Sequence, residues 1–172
     1  MNYFELYEIP MSLAVDLPVV KKKYFELQKK YHPDFYTNES EADRDEMLIK
    51  SSMINKGYKT FQSQEETIKY VLQLKELIVE DEKYELPPAF LMEVMELNEG
   101  LMDVEDSSFE ETIVKIRQFE NALYEHVRHI IEGYDEAVTT DAQLLQVKDY
   151  YYKKKYLNRI LERIAGMRNI AG

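Results

Sequence analysis

Apolar residues along this chain recur at three- and four-residue spacing almost from end to end, the period of a helix that buries one face. Val20, Tyr24, Leu27 and Tyr31 make one such line, and Met47, Ser51, Ile54, Tyr58 and Phe61 make a second. A third helix is expected over Glu65–Leu77, and a short helix or turn over Asn2–Tyr7, stopped by Pro10. Asp16 is a good N-cap for the helix holding the first line, and Pro18 suits a first turn. Three more helices are expected over Pro88 to about Val104, Ser107 to Gly133, and Asp141 to about Met167. Ile113, Ile116, Phe119, Leu123, Val127 and Ile130 carry the core face of the middle one, and Gly133 reads as its C-terminal cap. Val and Ile gather into no alternating runs, so sheet has no support. The fold class expected is all-α, in two parts.

The stretch "IVEDEKYELPP" has no period, is acidic and ends in two prolines. It places a linker at 78–87, between a first part at 1–77 and a second at 88–172, with an L-shaped arrangement expected. Charge divides at about the same place. Residues 1–75 carry 11 Lys/Arg against 12 Asp/Glu, while 76–172 carry 11 against 21. The acidic second part argues against nucleic acid as a ligand, because phosphate is repelled. No apolar run reaches membrane-spanning length, so no membrane partner is expected. Cysteine is absent, which removes disulfides, thiolate catalysis and Cys-ligated metal, and is compatible with a reducing cytoplasm. No cofactor or metal site is expected. His126 and His129 stand at i, i+3 without a ligand set, and the tyrosines at 150–152 and 156 read as bundle packing with snorkelling lysines. No nucleophile-and-base set or paired carboxylates stand out, so an enzyme is not expected.

Two stretches carry chemistry. The first is "LQKKYHPDFY". Pro33 stops the first long helix by clashing with the carbonyl four residues back and biases His32 away from helical backbone. A stop alone needs neither a histidine, an aspartate nor preceding lysines. Lys22, Lys29 and Lys30 share a face away from the apolar line and offer a cationic stripe suited to an acidic partner surface. A His-Pro-Asp turn between two antiparallel helices, after a short Tyr-Phe helix, resembles a J-domain. The resemblance implies docking to an Hsp70-type chaperone ATPase through Lys22, Lys29, Lys30, His32, Pro33 and Asp34. Asp34 then supplies a charge-assisted hydrogen bond, Pro33 a fixed backbone and His32 an orienting donor. The chain itself needs no nucleotide, and it holds no phosphate-loop motif.

The second is "AFLMEVMELNEGLMD" at 89–103. At about 100° per residue, Phe90, Val94, Leu97 and Leu101 share one line. Leu91, Met95 and Met102 share another, with Met92, Glu96, Glu99 and Asp103 just beyond. A Leu/Met strip rimmed by carboxylates is what a partner-binding face looks like. This stretch, together with "NYFELYEIP", "LQKKYHPDFY" and "INKGYKTF", is similar to HscB-type co-chaperones of iron–sulfur cluster biogenesis over essentially the whole chain. The resemblance implies an N-terminal J-domain and a C-terminal antiparallel three-helix bundle. The bundle then binds an IscU-like scaffold protein through Leu91, Met92, Met95, Glu96, Glu99, Asp103 and Tyr152. The J-domain engages an HscA-like chaperone and stimulates its ATPase. A J-domain co-chaperone serving a different client is the alternative.

Overall fold

The computed structural model describes residues 1–99 and 106–171. Among these every regular element is helical. The helices are α1 (Tyr3–Leu6), α2 (Leu17–Tyr31), α3 (Glu41–Phe61), α4 (Gln64–Leu74), α5 (Pro88–Glu99), α6 (Asp106–Glu132) and α7 (Asp141–Ala171), with a 3₁₀ turn at Pro33–Tyr36. Two compact units result: residues 1–75 with 134–138, and 76–133 with 139–172.

In the first unit each helix starts on a side chain that satisfies an orphan backbone N–H. Asn2 and Glu5 form a reciprocal capping box on α1, Asp16 caps α2, Ser40 caps α3 and Ser63 caps α4. α2 and α3 run antiparallel: Tyr24 stacks on Tyr58 at 4.0 Å, while Tyr31, seven residues on, lies under the Lys50 ammonium. Val20 is the one residue of α2 that is fully buried. Polar contacts hold the rest of the helix in place. Tyr24 Oη and Gln28 Nε2 both donate to Asn55 Oδ1, at 3.2 and 2.6 Å.

The core of this unit is aromatic. Phe4 of α1 and Tyr7, its C-cap, pack on Phe61, and Tyr3 stacks on Tyr70. Gly57 makes this possible, because a Cβ there would come within 3.1 Å of the Tyr3 and Tyr7 rings. Tyr7 is wholly buried and donates to the Ile54 carbonyl at 2.6 Å. Burial pushes its hydroxyl well above the ordinary tyrosine range. α4 stops at Leu74, three residues short of the expected end, where Lys75 caps it and Glu76 turns left-handed at φ 58°.

In the second unit α6 pairs with α7 along their length and α5 packs on α6. Phe90 and Val94 of α5, Phe109 and Ile116 of α6, and Leu157, Ile160 and Ile164 of α7 form one buried cluster. Each such side chain contributes about 1.5–3 kcal/mol on burial. Leu97 packs against this cluster, as its place on the line of Phe90 predicts. Thr140 and Gln143 cap the start of α7 reciprocally. Gly133 ends α6 without a left-handed φ. The glycine is required there for space, since a Cβ would sit 2.7 Å from the His129 carbonyl oxygen.

Residues 76–87 are attached to the bundle at several points, and we call this segment the strap. Ile78 is buried, Leu86 packs on the core cluster, and Asp81 is left-handed at φ 59°. Glu82 accepts from Lys148 Nζ at 2.7 Å and from Tyr152 Oη at 3.0 Å. Tyr84 donates to Asp149 at 2.7 Å, and its ring lies parallel to that of Tyr152 at 4.5 Å.

Candidate functional sites

The corner at the end of α2 forms because one residue serves two elements. His32 is the C-cap of α2 and the N-cap of the 3₁₀ turn, with extended backbone at ψ 130°. Pro33 takes the first position of that turn, where its missing N–H costs nothing. The Asp34 N–H donates to His32 Nδ1 at 3.3 Å, and the Phe35 N–H donates to the His32 carbonyl at 3.1 Å. With Nδ1 accepting, the neutral imidazole carries its proton on Nε2 and offers it outward as a donor. The same Nδ1 lies 3.5 Å from Asp34 Oδ2, so a protonated ring faces the carboxylate instead. The Asp34 side chain is 86% exposed, which leaves its oxygens accessible to a partner.

Lys22, Lys29 and Lys30 are all exposed on α2. Lys29 and Lys30 lie in the last turn, where the helix dipole favours cations. Lys23 is drawn aside to Glu8 at 3.5 Å. Two aromatics that the sequence reading passed over lie in the same region. Phe25 is 58% exposed and sits at i+3 from Lys22 and i−4 from Lys29. Phe35 is 66% exposed and meets the His32 ring edge-on at 5.9 Å. Phe25 was findable, because it falls off the line of Val20, Tyr24, Leu27 and Tyr31 that faces α3.

On α5 the second set divides by burial. Phe90 and Val94 are buried, and Leu91 is half-buried against the core cluster. Met92 and Met95 are 64% and 67% exposed, and Glu96 and Glu99 are exposed beside them. Positions 92, 95, 96 and 99 follow i, i+3, i+4, i+7 spacing, so the two thioethers and two carboxylates form one strip. Asp103, Leu101 and Met102, expected to prolong these lines, lie outside the described residues, as does the expected run of α5 to Val104. Tyr152 is on α7, half-buried, with its ring on Tyr84 and its hydroxyl on Glu82. Burial, then the Glu82 carboxylate, push that hydroxyl up to about 12. Tyr152 is thus placed by the strap, and nothing in the sequence signals that 70-residue contact.

His126 and His129 are exposed, and no cluster of metal-ligating side chains occurs among the described residues. Tyr150 and Tyr151 are buried in the bundle. No described helix is long and apolar enough to cross a membrane.

A helical hairpin turning on His-Pro-Asp, followed on the same chain by a helical bundle, defines a J-domain co-chaperone. Comparison with known proteins agrees and narrows the class. The family model described as "HSCB C-terminal oligomerisation domain" matches residues 86–165. A co-chaperone protein HscB homolog of Acinetobacter baumannii is 32% identical over 95% of this chain and 88% of its own length. One from Shewanella woodyi is 29% identical over 95% and 97%. Among solved structures, human co-chaperone HscB superposes with a TM-score of 0.79 at 26% identity, covering 98% of this chain and 82% of that one. Chaperone HscB from Vibrio cholerae shares the fold with a TM-score of 0.75 at 23% identity over the whole of both chains. The chain belongs to the HscB co-chaperone family.

Proposed function

We propose that this protein delivers an IscU-like iron–sulfur scaffold to an HscA-like, Hsp70-type chaperone in the cytoplasm and stimulates that chaperone's ATPase. The observation that carries the reading is the pairing, on one chain, of two exposed and dissimilar surfaces. One is a corner with an exposed carboxylate beside a cationic stripe, and the other is a carboxylate-edged methionine strip. The lysines of α2 draw the corner to an acidic surface on the chaperone, and Asp34 accepts a charge-assisted hydrogen bond there. Pro33 and the hydrogen bond from the Asp34 N–H to the His32 ring keep the geometry fixed before contact, which lowers the entropy lost on binding. The scaffold lies on Met92, Met95, Glu96 and Glu99, with Leu91 beneath, and Asp103 supplies it a further carboxylate. One chain then raises the effective concentration of client at the chaperone. The cluster itself is cargo, carried by the scaffold, and the co-chaperone supplies no catalytic group.

Steady-state ATPase rates of the chaperone with scaffold, with this protein, and with both test the reading. A rate with both that exceeds the sum of the separate stimulations is expected, and simple additivity overturns it.

A further inference from the structure

The second unit is acidic, and part of its cationic charge is already engaged. Lys115, Arg128, Lys148, Lys153 and Arg168 each pair with a carboxylate. Three further cations cluster in one place. Lys83 of the strap and Lys155 and Arg159 of α7 are exposed and pair with no carboxylate among the described residues. They line one cleft of about 320 Å³ between the strap and α7. Tyr152, Lys155, Tyr156 and Arg159 follow i, i+3, i+4, i+7 spacing, so a single face of α7 forms the wall. The acid in the cleft, Glu82, is committed to Lys148 and Tyr152. It therefore does little to neutralise the three cations.

The cleft adjoins the start of α5. Tyr156 meets the Phe90 ring edge-on at 6.0 Å, and Phe90 precedes Leu91, the first residue of the proposed scaffold strip. Leu86, also in the wall, packs on the same core cluster as Phe90. The two surfaces carry opposite charge: Glu96 and Glu99 on α5, Lys155 and Arg159 on α7.

We propose that this cleft takes a carboxylate-bearing peptide segment of the same scaffold protein that lies on the α5 strip. Arg159 and Lys155 receive the carboxylates, and the tyrosine rings of 152 and 156 flank the segment's backbone. The inference rests on the proposed scaffold binding. It adds that the scaffold is read by two patches of opposite sign. This gives orientation, because a docked scaffold turned end for end sets like charges against each other.

The test is calorimetric titration of the scaffold into the full chain. Lys155→Glu/Arg159→Glu is expected to weaken binding about tenfold and to reduce its salt dependence. The control Lys56→Glu/Arg117→Glu changes net charge equally at exposed sites outside the cleft and is expected to bind as wild type does. Far-UV circular dichroism and thermal melting confirm that all variants fold. Equal weakening in both pairs makes the effect one of net charge and overturns the proposal. Unchanged affinity in Lys155→Glu/Arg159→Glu, with weakened binding in Leu91→Ala/Met95→Ala, overturns the cleft and keeps the strip, whatever the pair does to binding of inorganic phosphate. No binding by the wild-type chain sinks both.

Discussion

The corner at His32–Asp34 and the strip on α5 are both proposed as recognition surfaces, and they are made in opposite ways. The corner is small, polar and set by backbone: two short hydrogen-bonded turns share one histidine, and the working carboxylate projects into water. The strip is a regular helix whose inner face is consumed by the core, so that its outer methionines remain uncovered. Function in the first depends on the identity of single atoms. In the second it depends on area and on adaptable thioether side chains. Single changes within the three residues of the corner are therefore expected to abolish its function, whereas changes in the strip are expected to lower affinity in increments.

The largest expected effect follows from that difference. Asp34→Asn keeps size and removes the charge, so stimulation of the chaperone ATPase is expected to fall to baseline. A charge-assisted hydrogen bond contributes about 1.5–3 kcal/mol, and this surface has few others to compensate. Melting temperature and scaffold affinity are expected to stay at wild-type values. A variant that still stimulates normally removes the corner from the account.

Next in size is Leu91→Ala/Met95→Ala, expected to weaken scaffold binding about thirtyfold by calorimetry while leaving chaperone stimulation without scaffold intact. Val94→Asp, one position away from Met95, sharpens the contrast. Val94 is 2% exposed, so a carboxylate there is expected to unfold the bundle and to show as lost helicity, not as selective loss of binding.

Ionic strength separates the surfaces by a smaller margin. Raising salt well above 0.1 M, where the screening length is about 10 Å, is expected to slow association at the lysine-lined corner several-fold. Dissociation from the methionine strip is expected to change little. Stopped-flow rates for the two partners decide this, and equal salt slopes contradict it.

The smallest effect concerns the strap. The Lys148 hydrogen bond holds the Glu82 carboxyl below its ordinary value, assisted by Tyr152 and opposed by desolvation. A carboxyl with a lowered folded pKa contributes stability that is fully present above the unfolded carboxylate range and is lost as pH falls through the folded value. Glu82→Gln is therefore expected to cost at most about 1 kcal/mol near neutral pH, and nothing in strong acid. Thermal melts of both proteins across that range give the difference directly. A gap that grows on acidification reverses the sign and refutes the assignment.

What the sequence made legible was whatever depends on near neighbours. Asp16, Pro18 and the His-Pro pair bound α2 within a residue, because caps and proline act over one turn. The burial of Phe90 and Val94 followed from helical period alone. The corner was visible as residue types in order, though not the bond from Asp34 N–H that selects the His32 tautomer. Less legible was whatever depends on residues far apart. The end of α4 carries no glycine or proline, and the chain leaves the helix through a left-handed Glu76. The aperiodic stretch at 78–87 gave no sign of its attachments, since Glu82 and Tyr84 find partners some 65 to 70 residues later. Gly133 was recognisable as a helix end, but for the wrong reason, since its backbone is not left-handed.

The parallel rings of Tyr84 and Tyr152 have a practical consequence. The chain contains fourteen tyrosines and no tryptophan, so its ultraviolet spectrum has no indole background. Two phenols 4.5 Å apart and 8° from parallel, one on the strap and one on α7, line the cationic cleft, where they couple electronically. Near-ultraviolet dichroism then becomes a label-free reporter: loosening the strap, or filling the cleft beside it, changes a signal that needs no dye and no engineered fluorophore.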